Sequence, residues 1–205
     1  MIQSFSAQLV SAWHATSWVE LLAAGLALAY VPLAIGQRLS CWIAAFAGSV
    51  LYVWVFFSAR LYMESALQAF FAAMAVYGFW QWQHGKEGRA LAVSRWPLLR
   101  HALALLGITA MAAVNAFFLA RYTAAANPFI DSMLTWSSVF TTFLVARKIY
   151  ENWYWWLLID SISLCLYFTR HLYLTMLLYG VYVALCVIGM REWRRSLPSQ
   201  VYAAA

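Results

Sequence analysis

Seven stretches of the chain are almost unbroken in apolar residues: 18–36, 40–57, 61–82, 97–120, 128–146, 152–169 and 171–191. Each is close to the roughly 20 residues that an α-helix needs to cross about 30 Å of hydrocarbon. Polar residues gather in the connections, of which only 83–96 is long enough to be called a loop. Barrel strands would read as short alternations of apolar and polar residues. The continuous runs therefore predict helices, which satisfy every backbone group internally in lipid. The boundary near Thr169, Arg170 and His171 is the least sharply drawn. Residues 1–17 are mildly polar and lack the basic start and apolar middle of a secretory leader, so the first span is expected to stay in the mature protein.

Composition agrees with that pattern. Of 205 residues, 65% are hydrophobic and 10% charged, against about 25% charged in a soluble domain. A water-soluble monomer is excluded, and no extramembrane domain is expected to hold a soluble active site. The lipid bilayer is thus the first partner. Lys and Arg set the orientation. Arg38, Lys86, Arg89, Arg95, Arg100, Arg147, Lys148, Arg191, Arg194 and Arg195 fall on one face, and Arg60, Arg121 and Arg170 on the other. That asymmetry predicts an N-terminus outside and a C-terminus in the cytoplasm. It also accounts for the net charge of +6, so no nucleic acid partner is expected.

A shift of 111 residues lays part of the chain over itself without a gap. Trp42 falls on Trp153, Phe57 on Phe168, Leu61 and Tyr62 on Leu172 and Tyr173, and Leu67 on Leu178. Ala73 meets Ala184, Val76 meets Val187, Gly78 meets Gly189 and Trp82 meets Trp193. Glu20 and Asp131 coincide as well. A bias toward aromatic and aliphatic residues inflates such matches, but the Gly-x-x-x-Trp ending of both third helices is harder to reach by chance. The period holds four spans, so both three-helix units enter the membrane from the same side, with span four as the linker. The expectation is an all-α membrane protein of seven transmembrane helices in a 3+1+3 parallel repeat. Its parts are a segment 1–17, a first bundle 18–82, a loop 83–96, a linker helix 97–120, a second bundle 128–191 and a tail 192–205. Parallel repeats of this kind place a substrate path between bundles near the midplane. The plan resembles the SWEET-like fold, although the Pro-Gln dipeptide of many such proteins is absent. Pro32 kinks or caps the first span, while its repeat mate is Phe143.

Polar groups within spans are expensive and therefore informative. Asp160 lies mid-way along span six, after Asn152, Trp153 and Trp156. At about 100° per residue, positions 153, 156, 160, 163, 164 and 167 share a face reading Trp, Trp, Asp, Ser, Leu, Tyr. That face, aromatic with polar handles, suits a flat ring-bearing solute. Trp153 and Trp155 also sit where interfacial aromatic belts are common, and Asp160 could equally tie span six to a neighbour. In span three, Glu64 and Gln68 project together. Gln68 both donates and accepts hydrogen bonds, as recognition of an amide or a sugar hydroxyl requires, and its repeat mate is Tyr179. Glu64 is near enough to the outer end to be solvated. Asn115 in span four is a further candidate. The hydroxyls of Thr135, Ser137, Ser138, Thr141 and Thr142 more commonly bond their own backbone or a neighbouring helix. Asn127, Pro128 and Asp131 read as an N-cap, a first-turn proline and an acid at the positive helix end.

The remaining chemistry is thin. Cys41, Cys165 and Cys186 are far apart and read as small packing residues. His14, His84, His101 and His171 have no Cys or carboxylate at ligand spacing, and no nucleophile elbow, zinc-protease helix or phosphate loop is present. The chain is not expected to be an enzyme or to carry a metal or cofactor. The four acids in or near the spans form no evident proton relay.

The second half resembles the PnuC family of bacterial vitamin transporters. The stretch from Glu151 through Asn152, Trp153, Trp155 and Trp156 to Asp160 carries the likeness. It continues in Leu166-Tyr167-Phe168, Leu172 to Thr175, Leu178-Tyr179, and Gly189 with Trp193. Leu67, Gln68, Phe70 and Phe71, with Tyr77, Gly78 and Trp82, are similar to the family's third helix. Asn127, Pro128, Phe129 and Asp131, with Leu144 and Ala146 to Lys148, are similar to its fifth. The resemblance spans residues 18 to 195. It implies a SWEET-like seven-helix fold, a homotrimer in the bacterial inner membrane, and uptake of a water-soluble vitamin by facilitated diffusion. The commonest substrate, nicotinamide riboside, is trapped by intracellular phosphorylation and feeds NAD biosynthesis; relatives carry thiamine or riboflavin. Carried over residue by residue, it implicates Gln68, Asn152, Trp153, Trp156 and Asp160, to which the reading of the faces adds Tyr167, Tyr179 and Asn115. A membrane-embedded enzyme would need a nucleophile–base pair or metal ligands that the sequence does not offer, and a purely structural subunit would bind no ligand.

Overall fold

A computed structural model describes residues 17–85, 91–123, 127–170 and 173–198. Outside the described residues lie the expected N-terminal segment up to residue 16, His14, Lys86, Arg89, His171, Leu172 and the end of the tail. Seven helices run in order among the described residues. They are α1 Trp18–Ile35, α2 Ser40–Ser58, α3 Tyr62–His84, α4 Leu98–Tyr122, α5 Pro128–Ala146, α6 Asn152–Thr169 and α7 Tyr173–Arg195. Five are long and apolar enough to cross a membrane: α1, α2, α4, α5 and the Thr175–Arg195 part of α7. The other two, α3 and α6, are equally long but more polar, because they carry Glu64 and Gln68, and Asn152 and Asp160. Many large apolar side chains face outward, among them Leu98 at 83%, Trp54 at 68% and Phe117 at 67% exposed. In water such a surface would aggregate; lipid accommodates it.

The chain divides into two compact units, one ending at Phe79 and the other beginning at Trp80. In the first, Ser17 and Glu20 close a reciprocal capping box at the start of α1, satisfying two backbone donors that a helix start leaves open. Pro32 lies inside α1 near its end, and Gly36 closes the helix by donating to the Pro32 carbonyl at 3.0 Å. Helix α2 packs on α1, where Gly48 lets it approach Leu26 and Ala23. Ser65 Oγ of α3 donates to the Val53 carbonyl of α2 at 3.0 Å. Trp42 of α2, only 2% exposed, fills the space that a side chain at Gly78 would need.

In the second unit α4 packs on α5, α5 on α6, and α6 on α7. Asn115 Nδ2 donates to Ser132 Oγ at 3.0 Å, joining α4 to α5. Thr135, Ser138, Thr141 and Thr142 return their hydroxyls to the carbonyls four residues back, so these groups are satisfied within α5. Asn127 stands at the N-cap position, but its side chain makes no capping bond, and Pro128 opens the helix instead. Asp131 pairs with Arg170 at 3.6 Å. Trp82 donates to the Val145 carbonyl at 3.1 Å, with its ring beside Trp193 and under the Lys148 ammonium. The expected local role of Asp131 at the helix start is thus supplemented by an ion pair that spacing could not show.

The 111-residue offset reappears in the element boundaries. Moved by that amount, α3 coincides end for end with α7, while α1 and α2 meet α5 and α6 to within a residue. Gln37 and its mate Lys148 both adopt left-handed backbone, with φ of 53° and 49°. Trp42 covers Gly78, and its mate Trp153 covers Gly189.

Candidate functional site

The candidate face of α6 begins in a tightly held first turn. Asn152 is fully buried and donates from Nδ2 to the Ile149 carbonyl at 2.6 Å. Trp153, 2% exposed, lies against Gly189 of α7 with its ring edge-on to Trp193, centroids 5.5 Å apart. Both residues therefore fasten α6 to its surroundings. Yet Asn152 Oδ1 and Trp153 Nε1 are buried with no hydrogen-bond partner among the described residues. An unsatisfied buried acceptor beside an unsatisfied donor is costly.

One turn on, Trp156 is half-buried. Seven residues past Trp153, about 10 Å along the axis at 1.5 Å per residue, stands Asp160, only 6% exposed. The helix turns its carboxylate inward, as the 100° spacing predicts. Its partner was not legible in the sequence: Cys186 of α7 donates its thiol to Asp160 Oδ2 at 3.5 Å. Cys186 is thus more than a small packing residue. It lies 26 positions away, and only the pairing of α6 with α7 brings the two together. A single thiol is a weak donor and leaves most of the acceptor capacity of this carboxylate open. Ser163, 4% exposed, follows on the same face.

A further turn along, Tyr167 of α6 meets Tyr179 of α7 with ring centroids 5.1 Å apart, and Tyr179 meets Tyr182 edge-on at 5.8 Å. The result is a strip shared by α6 and α7, with Trp156, Asp160 and Cys186, and a tyrosine cluster at successive levels. It offers flat rings for stacking and a carboxylate for hydroxyl or amide donors. Asn115 is engaged with Ser132 on α5, and Gln68, half-buried, belongs to the first unit.

Trp155, which the sequence left open to an interfacial belt, is built into the protein. Its Nε1 donates to His101 Nδ1 at 3.2 Å, and its ring packs edge-on to Phe140. His101 Nε2 lies 3.9 Å from Glu151 Oε2. Glu151 lies 50 positions from His101 in the chain, and only the fold brings the two together. Glu151 also accepts from the Trp96 amide at 3.2 Å and pairs with Arg95 at 3.7 Å. Beside them, burial and a hydrogen bond to Tyr154 push the Tyr150 phenol up to about 12.

The fold is that of a membrane protein, and the comparisons agree. The sequence model of the nicotinamide mononucleotide transporter family matches residues 17–195. The chain is 26% identical over 206 residues to the nicotinamide riboside transporter PnuC of Escherichia coli, covering 88% of this chain and 86% of that protein. It is 28% identical over 184 residues to the riboflavin/roseoflavin transporter RibM of Streptomyces davaonensis, covering 86% and 84%. The crystal structure of the vitamin B3 transporter PnuC superposes with a TM-score of 0.69 at 18% identity, over 92% of this chain and 85% of that one, and shows the same fold. These relatives are transporters and not enzymes, and the apolar helices make this chain a multi-pass protein of the bacterial inner membrane. With all but its ends matched, the chain belongs to the nicotinamide mononucleotide transporter family.

Proposed function

We propose that this protein takes up nicotinamide riboside by facilitated diffusion through alternating access, and that intracellular phosphorylation traps the product. The observation that carries this reading is Asp160: a carboxylate 6% exposed, mid-way along α6, held by one thiol. An acid at membrane depth costs about 3 kcal/mol, a burden that a carrier offsets when a polar solute arrives. The nicotinamide ring stacks on Trp156 or the Tyr167–Tyr179 pair, and Asp160 accepts from the ribose hydroxyls. Asn152 Oδ1 and Trp153 Nε1 offer a further acceptor and donor; Gln68, in the first unit, is proposed as a substrate-binding residue on the family resemblance alone. The name of the Escherichia coli relative supports the substrate.

The reading includes seven membrane spans in a 3+1+3 parallel repeat, an N-terminus outside, a C-terminus in the cytoplasm and assembly as a homotrimer. The coincident bounds of α3 and α7 and the twin Trp–Gly contacts support the repeat. A riboflavin carrier is the second reading, favoured by the RibM relative and by the three-tyrosine cluster. Thermal-shift screening of the detergent-purified protein against nicotinamide riboside, riboflavin and thiamine tests both. Stabilisation by nicotinamide riboside alone is the expected result, stabilisation by either other vitamin reassigns the substrate, and none by any of the three refutes the carrier reading. A Trp156→Ala protein that took up nicotinamide riboside as well as the parent would remove Trp156 from the stacking role. Uptake that persists after the proton and sodium gradients are collapsed is expected, and strict dependence on either refutes facilitated diffusion.

A further inference from the structure

A cavity of 250 Å³ opens at the arginine-rich end of the second unit, away from the Asp160 strip. Three guanidiniums line it, each from a different piece of chain: Arg95 from the segment before α4, Arg100 from the first turn of α4, and Arg147 from the end of α5. Gln81 and Ser94 add polar groups, and Glu151, not itself a lining residue, offsets part of the charge through its 3.7 Å pair with Arg95. An excess of basic residues at helix ends is what membrane topology selects. Their convergence on one cavity is not.

Each guanidinium is also held in place by a ring. Arg95 lies over Tyr150 at 5.0 Å, Arg100 over Trp96 at 5.5 Å, and Arg147 over Phe143 at 5.8 Å. Stacking fixes the plane of a guanidinium. The frame is stiff: Ser94 bridges to the α5–α6 connection through bonds of 3.0 Å from its amide to Lys148 and 2.8 Å from Tyr150 to its carbonyl. Meanwhile α4 starts without an acidic residue in its first turn and without a side-chain cap, and places Arg100 there. Positive charge at the positive end of a helix is unfavourable, and an anion in the cavity would relieve it.

We propose that this cavity is an oxyanion site that binds a phosphate group through Arg95, Arg100 and Arg147. Pockets for drug-sized ligands run to roughly 300–1,000 Å³, and this smaller space fits a phosphate or a phospholipid headgroup. Planar forks are the side chains best matched to phosphate oxygens. The phosphate belongs to a soluble ion or to an anionic lipid, and one experiment separates the sources.

The full chain is purified in phosphate-free detergent and titrated calorimetrically with inorganic phosphate. In parallel, native mass spectrometry measures its retention of phosphatidylglycerol against phosphatidylcholine. The parent is expected to bind phosphate, or to retain phosphatidylglycerol selectively, with Arg100→Gln/Arg147→Gln weakening that binding at least tenfold. Arg60→Gln/Arg121→Gln removes the same charge elsewhere and is expected to change it less than twofold. Phosphate binding identifies a soluble ligand, and selective phosphatidylglycerol retention without it identifies a lipid. Binding of neither probe by the parent overturns the proposal, and so does equal weakening by the two double variants. If the glutamine pair does not fold, Arg100→Lys/Arg147→Lys keeps the charge without the fork, and binding equal to the parent's refutes the arginine assignment.

Discussion

Gly189→Ala puts the α6–α7 packing to a quantitative test. A Cβ at position 189 would stand 2.6 Å from three atoms of the Trp153 ring, about 1 Å inside the 3.5–4.0 Å at which carbons rest. The ring has little room to retreat, because it is 2% exposed and set edge-on to Trp193. Overpacking of this kind costs about 1–3 kcal/mol. Gly78 is the same case in the first unit, where an added Cβ would overlap the Trp42 ring. Gly25 and Gly107 are the controls: both are helical, and nothing lies within 4 Å of their missing Cβ. All four positions are helical, so the gain of up to about 1 kcal/mol in helix propensity is common to them and cancels. At roughly 2–4 °C per kcal/mol, Gly189→Ala and Gly78→Ala are expected to melt roughly 2–12 °C below the two controls. The assay is intrinsic-fluorescence melting in detergent. Equal melting of Gly189→Ala and Gly107→Ala would refute the close contact of α6 with α7, and with it the placement of Trp153.

Two further outcomes follow from the neighbouring contacts. Trp155→Phe keeps the ring against Phe140 but loses the 3.2 Å bond to His101. It is expected to cost about 1 kcal/mol, read as a lower melting temperature, and an unchanged value would remove that bond from the account. The Tyr150 phenol, pushed up to about 12 by burial, gives an alkaline signature. Below the ordinary tyrosine pKa of about 10 both states hold the proton. Between about 10 and 12 the unfolded chain loses it first, so stability falls as pH rises through that window. Melting curves from pH 9 to 12 are expected to decline more steeply for the parent than for Tyr150→Phe, and parallel curves would contradict the buried phenol.

The helices were legible because their apolar runs are long, and Pro128 marks the start of one of them. Span limits agree within a few residues, the largest difference being at α7, which runs on to Arg195 through charged residues that hydropathy excludes. The inward face of α6 was legible for the same reason: one period places Trp153, Trp156, Asp160, Ser163 and Tyr167 together. What the sequence could not show were partners on other helices. Cys186 beside Asp160, His101 beside Glu151 and Trp155, and Ser132 beside Asn115 each depend on helix pairing that no local pattern encodes. Trp155 shows the limit most plainly. Its position near a helix start fits a lipid-interface belt, and only a bond to a histidine 54 residues away fixes it in the protein.

The central claim is that a vitamin is held by the Asp160 strip, and the equilibrium affinity for nicotinamide riboside measures it directly. A hydrogen bond to a charged group is worth about 1.5–3 kcal/mol, so Asp160→Ala is predicted to weaken binding by roughly 10- to 150-fold. Leu158→Ala, on the outward side of the same helix at 55% exposed, is predicted to change it less than twofold. Equal affinities for the parent, Asp160→Ala and Leu158→Ala would contradict the account.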